Sequence, residues 1–119
     1  RLERNEGIIL VFPIWWWSFP AILKGWIDRV WNKDVAYGSK FLKHKRALAI
    51  GLSASDGPTY AKRGYDTAIE TQIVTGIFNY CGIADGRFAY LHHSTDGGER
   101  PAQMIKEAYE MGQTFSDGL

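Results

Sequence analysis

Ile8-Ile9-Leu10-Val11-Phe12-Pro13-Ile14-Trp15-Trp16-Trp17-Ser18-Phe19-Pro20-Ala21 is the stretch that decides how this chain folds. It opens as a continuous apolar run, the pattern of a parallel strand covered on both faces. It then places three consecutive tryptophans in a loop bracketed by prolines. Adjacent indoles cannot all enter one core: on a strand they alternate sides, and on a helix they fan around the axis. A strand that ends in a special loop and passes into a helix marks the edge where open α/β sheets bind ligands. The tryptophans therefore either wall a site for a flat aromatic ligand or anchor the chain on a partner subunit. Composition alone leaves both readings open.

The rest of the chain narrows the classes. Its 119 residues make a single domain, 1–119, large enough to bury roughly two-thirds of its unfolded surface. A net charge of +1 argues against an electrostatic nucleic-acid binder. The longest apolar stretch, Gly7 to Trp17, is too short to span a membrane and contains Pro13. Cys81 is the sole cysteine, so no internal disulfide forms, which fits a cytoplasmic location.

Two more strands are expected, at Ala47–Leu52 and Arg87–Leu91. Helices separate them. The first starts near Pro20, with Ile22, Leu23, Trp26, Ile27, Val30 and Trp31 on its apolar face. Thr67-x-x-Glu70 reads as a capping box opening the second, and Gly82 as its stop. The third runs from about Pro101 to Phe115, with Met104, Ile105, Ala108 and Tyr109 inward. Strands alternating with helices predict a parallel sheet joined by right-handed crossovers.

Two segments then fall at the same sheet edge. The tryptophan loop offers flat apolar faces and backbone amides, the chemistry that recognises a heterocycle. Ser53-Ala54-Ser55-Asp56-Gly57-Pro58-Thr59-Tyr60 offers small residues for close approach, hydroxyls, and a tyrosine able to donate a proton or hydrogen bond; its Asp-Gly-Pro is also ordinary turn chemistry. Cys81 lies on an apolar stripe, as a buried inert thiol does. His92-His93 has no partner at metal-ligand spacing, so no metal is expected. Lys40, Lys43, Lys45 and Arg46 read as a solvated approach to a strand or a phosphate contact.

Phe12 through Val30 closely resembles the flavodoxin-like NAD(P)H:quinone oxidoreductase family of the DT-diaphorase type, including its shorter bacterial members. The match reads Phe-Pro, an apolar residue, the aromatics, a small residue, and then Pro20-Ala21-Ile22-Leu23-Lys24-Gly25-Trp26 with the Asp28-Arg29 pair. Ala36-Tyr37 and Tyr60-x-x-x-Gly64 fall at the family's distances. The resemblance implies a flavin, FMN or FAD, bound by Pro13, Ile14, Trp15, Trp16, Trp17, Ser53, Ala54, Ser55 and Tyr60. It implies that Tyr60 acts catalytically by stabilising charge on the reduced ring. Tyr37 would cap the substrate pocket from the partner subunit of a homodimer. The implied reaction takes hydride from NAD(P)H and delivers it to a quinone or similar acceptor, with no nucleic acid and no membrane span involved. A flavin-binding ancillary subunit of a potassium-efflux system, or an inactive fragment of the enzyme, are the alternative readings.

Departures from the family pattern carry expectations too. Ala54-Ser55 stand where many members have Gly-Gly, and Asp66, or Tyr65 if the register slips, stands where longer members pair the tyrosine with a histidine. The three strands match strands 3, 4 and 5 of a 2-1-3-4-5 sheet. The phosphate-binding loop after strand 1 has no counterpart, which implies that the chain is the C-terminal portion of a longer protein, with an α/β flavodoxin-like fold that is incomplete.

Overall fold

A computed structural model describes residues Arg1–Leu119. All three expected strands form: β1 (Gly7–Pro13), β2 (Arg46–Leu52) and β3 (Asp85–Leu91). They make one parallel sheet in the order β1-β2-β3. The register is level. Gly7, Arg46 and Asp85 lie side by side at one end, and Pro13, Leu52 and Leu91 at the other. Every loop that leaves a strand's carboxyl end therefore opens on the same edge.

Between the strands run α1 (Ala21–Val30), α2 (Gly57–Arg63) and α3 (Tyr65–Glu70), and after β3 comes α4 (Arg100–Ser116). No helix is long and apolar enough to cross a membrane. α3 continues as a nine-residue π-helical segment, Thr71–Asn79, and the chain turns at Gly82, whose N–H donates to Asn79. The larger core lies on one face of the sheet, where Ile8, Leu10, Phe12, Ala47 and Ala49 meet Ile27, Trp31, Ile69, Ile73 and Phe78. On the other face Leu48, Ile50 and Leu91 lie under Met104, Ala108, Met111 and Phe115 of α4.

The structure corrects several details. β1 is covered on one face only: Ile9 and Val11 are exposed, Val11 by 61%. They neighbour Leu48 and Ile50 in register, but α4 covers only the latter pair. Ile105 and Tyr109, expected inward on α4, are exposed, because Met111 and Phe115 continue the inner stripe from Met104 and Ala108. On α1 only Ile27 is buried, and Ile22 is 87% exposed. The second helix is two. Asp56 caps α2 by accepting the Thr59 N–H at 2.7 Å, with Pro58 in the first turn. Gly64, at φ +72°, then ends α2 and starts α3, a left-handed setting that costs glycine little. Thr67 and Glu70 thus fall inside α3 rather than at its cap.

Arg46, expected at a solvated strand approach, is largely buried. Its guanidinium meets Asp85 at 2.6 Å and donates to the carbonyls of Phe115 and Asp117. It ties the end of α4 to the amino edge of the sheet. Replacing Arg46 with methionine leaves those acceptors unpaired and should cost about 1–3 kcal/mol in denaturant unfolding. Asp85 is held below the usual carboxylate range by Arg87 and then Arg46. Its contribution is present above the unfolded-state pKa and is lost as pH falls through the lower folded-state value. An Asp85→Asn variant should therefore lose stability near neutrality and converge on the wild type in strong acid, as followed by urea midpoints against pH.

Candidate functional site

The tryptophan loop is a tight reversal. Trp15 and Ser18 exchange both backbone hydrogen bonds, at 3.2 and 3.1 Å. The two residues between them, Trp16 and Trp17, sit at φ +48° and +55°. Both central residues at positive φ are the mark of a type I′ turn, which normally takes Asn and Gly. Two tryptophans there are strained by about 1–3 kcal/mol each. The turn leaves the Trp16 and Trp17 N–H groups without partners, and Trp16 is 86% exposed. Ile14 crosses onto β2, and a Cβ on Gly51 would come within 2.7 Å of its Cδ1. That closeness is why β2 needs glycine there.

The loop after β2 lies alongside. Ser53 is buried, and its hydroxyl accepts the Ser55 N–H at 3.1 Å. The Ser53 N–H and carbonyl are tied to Leu91 and Ser94, so Ser53 shapes the loop while the Ala54 N–H remains free. Asp56 is held below the usual carboxylate range by the Thr59 backbone N–H. Tyr60, in α2, is 7% exposed, yet its hydroxyl bonds to nothing in the fold. Aromatic contacts join the two loops. Trp17 lies 4.6 Å from Tyr65, and Tyr65 meets Tyr60 edge-on at 5.6 Å. Ser18 adds a hydrogen bond to Gln72 at 3.0 Å, at the start of the π-helical segment.

Pro13, Ile14, Trp15, Trp16, Trp17, Ser53, Ala54, Ser55 and Tyr60 are thus gathered at the carboxyl edge of the sheet. Trp15 is exposed and stacks on no other ring. Tyr37 is elsewhere. Its loop is pinned by Asp34, which accepts the Ser39 N–H and hydroxyl at 2.9 and 2.7 Å. Its ring pairs with Tyr80 at 6.2 Å, and the adjoining chain bonds to Cys81 and Glu6. Those contacts belong to the amino edge, so Tyr37 does not cover Tyr60 within one chain.

The residues present suit a flat heterocycle with polar edges. They supply unpaired N–H donors at Trp16, Trp17 and Ala54, an uncommitted phenol, and exposed indole faces. Sequence reasoning gave Tyr90 no part in the site, and it read Glu70 as a cap and His92 only as a metal candidate. Tyr90 stacks on His92 at 5.1 Å and donates to Glu70 at 3.1 Å. Burial, and then Glu70, raise the Tyr90 phenol well above its ordinary value. The alternation Phe88, Tyr90, His92 along β3 and its exit was the available signal. Asp66 makes no hydrogen bond to Tyr60: its carboxylate accepts the Thr67 N–H at 2.7 Å.

The family model of the flavodoxin-like fold matches residues 1–114. An uncharacterized NAD(P)H oxidoreductase of Escherichia coli, YcaK, is 31% identical over all of this chain and 62% of its own length. An FMN-dependent NADH:quinone oxidoreductase of Pseudoalteromonas atlantica is 29% identical over 92% of this chain and 55% of its own. The chain thus spans little more than half the length of such curated relatives. Among solved structures, an NAD(P)H:quinone oxidoreductase from Methanothermobacter marburgensis superposes with a TM-score of 0.80 at 21% identity, over 89% of this chain and 55% of that one. That likeness is one of fold.

Because Asp56 alone caps the short helix that carries Tyr60, Asp56→Ala should cost about 1 kcal/mol. Hydrogen exchange should quicken first at the amides of Thr59 and Tyr60.

Proposed function

Since this chain belongs to the flavodoxin-like fold family, we propose that it carries the flavin-ring site of an NAD(P)H oxidoreductase acting on quinones or related acceptors. The observation that carries the reading is the pair of left-handed tryptophans, which free two N–H donors beside the unbonded hydroxyl of Tyr60. The names of the bacterial relatives point the same way.

A bound flavin, FMN or FAD, would supply a ring that accepts hydride from NAD(P)H and yields it to the acceptor. The protein's part is placement and charge. The backbone N–H groups of Trp16, Trp17 and Ala54 bond acceptors on the ring's edge. The faces of Trp16 and Trp17 exclude water from it. Ile14 and Pro13 set the height of the loop above the sheet, while Trp15 lies at its rim. Ser53 and Ser55 fix the loop that would border the bound ring. The Tyr60 hydroxyl donates a hydrogen bond where negative charge gathers, so it stabilises the charged state more than the neutral one. Tyr37 lies at the amino edge, so in this reading it caps the substrate pocket of a second copy, which makes the working unit a homodimer.

The full-length protein should purify yellow or take up FMN, and its visible band should bleach anaerobically on addition of NADH or NADPH. A protein that binds neither FMN nor FAD would overturn the proposal. One that binds flavin without bleaching would favour an ancillary binding role. Tyr60→Phe should keep the flavin and slow its reduction by roughly 10–100-fold, the value of one hydrogen bond to a charged group. An unchanged stopped-flow rate would remove Tyr60 from the chemistry.

A further inference from the structure

Tyr60 is held by rings rather than by hydrogen bonds. Tyr65, Tyr90 and His92 all meet it edge-on, at 5.6, 5.7 and 5.1 Å. His92 is itself immobilised from two directions. Its ring lies flat on Tyr90, with 6° between the planes. Its carbonyl accepts from the Arg100 guanidinium at 2.9 Å, and Arg100 is anchored in turn by Glu107 at 3.0 Å. Yet the ring's Nδ1 is buried and makes no hydrogen bond of acceptable geometry, although the Ser55 backbone lies close enough to favour its charged form. An uncharged imidazole tolerates that, because one of its nitrogens is only an acceptor. A protonated imidazole carries N–H donors on both and cannot leave one buried and unpaired without cost.

We propose that His92 is the positioning residue of this site: its uncharged ring wedges Tyr60 into its edge-on setting, and gaining a proton draws His92 toward the Ser55-Asp56 loop and releases Tyr60. The proposal rests on the reading of Tyr60 given above and adds a pH-dependent control to it.

The surroundings weigh for and against the added charge. His93, at the exit of β3, and Arg100, at the start of α4, are both unfavourable to a further positive charge. Asp56, at the head of α2, and the Ser55 backbone favour it. Burial is the largest influence and, followed by His93, holds His92 below the ordinary histidine value. Glu70 lies beyond Tyr90. Asp96, Glu99 and Glu107 line the same open polar hollow of about 730 Å³ as His92 and Asp56. Asp56 is the acceptor that caps α2, and the Ser55 carbonyl holds the His93 N–H at 2.9 Å. A charged His92 therefore competes for the very groups that fix the loop and helix carrying Ser53, Ala54, Ser55 and Tyr60.

The test needs neither turnover nor bound flavin. In the protein with ¹³C-labelled histidine and tyrosine rings, the Tyr60 ring signals should shift with pH at the midpoint at which His92 itself titrates, below the ordinary histidine value. They should stay flat from pH 5 to 8 in His92→Phe, which keeps an aromatic ring and removes the titration. In His93→Gln the Tyr60 shift should persist, moved to a higher midpoint. Tyr60 signals that are flat in the wild type, or that follow His93 instead, would overturn the proposal. The wild type decides it whether or not His92→Phe folds: a charge on so near a ring shifts Tyr60 by itself, so release is read from the NOEs between the Tyr60 and His92 rings, which should weaken as His92 gains its proton and whose persistence would overturn the proposal. With FMN present, the wild type should bind severalfold more weakly at pH 5 than at pH 8, because flavin binding would favour the uncharged ring, and His92→Phe should lose most of that dependence. If Tyr60→Phe leaves the reduction rate unchanged while the Tyr60 and His92 titrations coincide, the catalytic reading of Tyr60 fails and the coupling stands.

Discussion

The level parallel register is the constraint on which everything else depends. Pairing Gly7 with Arg46, and Arg46 with Asp85, forces each connection to climb back over the sheet before the next strand begins. The exits at Pro13, Leu52 and Leu91 then fall on one line. The tryptophan loop, the Ser53–Tyr60 segment and His92 come from three distant parts of the sequence, yet each is the first thing to follow a strand. Nothing else about them needs to be arranged for them to meet. The opposite edge is tied down by the Arg46–Asp85 pair and the carbonyls at the end of α4. One edge is thus braced by charge, and the other is left with unpaired donors.

The parts of this design legible in the sequence were those encoded in short range. A run of apolar residues ending in a tryptophan loop, two further strands and a helix starting after Pro20 could be read without any distant contact. So could the two loops of the site, because a strand's carboxyl exit follows from the strand itself. What escaped was set by contacts between segments. The capping pattern at Thr67 lost to Gly64, because the aspartate three residues before Thr59 already caps a helix that the Asp-Gly-Pro pattern had disguised as a turn. The one-sided cover of β1 depends on how far α4 reaches across the sheet. Ile105 and Tyr109 fit a helical stripe as well as Met111 and Phe115 do, and only the path of α4 selects between them.

The same distinction separates the site residues. Trp16, Trp17, Ser53 and Tyr60 could be placed at the carboxyl edge because each follows closely on a strand exit, while their assignment to a flavin came from the family resemblance. Tyr37 could be named but not located: the structure puts it with Tyr80 at the braced edge. His92 looked like half of an idle histidine pair, since the rings that give it meaning, Tyr60 and Tyr90, come from α2 and β3. Asp66 drew attention by its nearness in sequence to Tyr60, yet its carboxylate is spent on its own helix. Sequence distance overstated the one and hid the other.

The tryptophan turn argues most directly for a ligand. A loop that only needed to reverse between Trp15 and Ser18 would do so at less cost with Asn and Gly, whose backbones accept positive φ. A loop that only needed an apolar anchor would bury its indoles. This one combines the unfavourable backbone with an exposed Trp16 and with amides that bond to nothing. Each feature alone detracts from stability. Together they form a surface of unmet hydrogen bonds and bare faces, at the same sheet edge as a largely buried tyrosine whose hydroxyl is unbonded. Strain and exposure concentrated at one loop, on a sheet that is otherwise well paired, are accounted for by a flat partner that satisfies both.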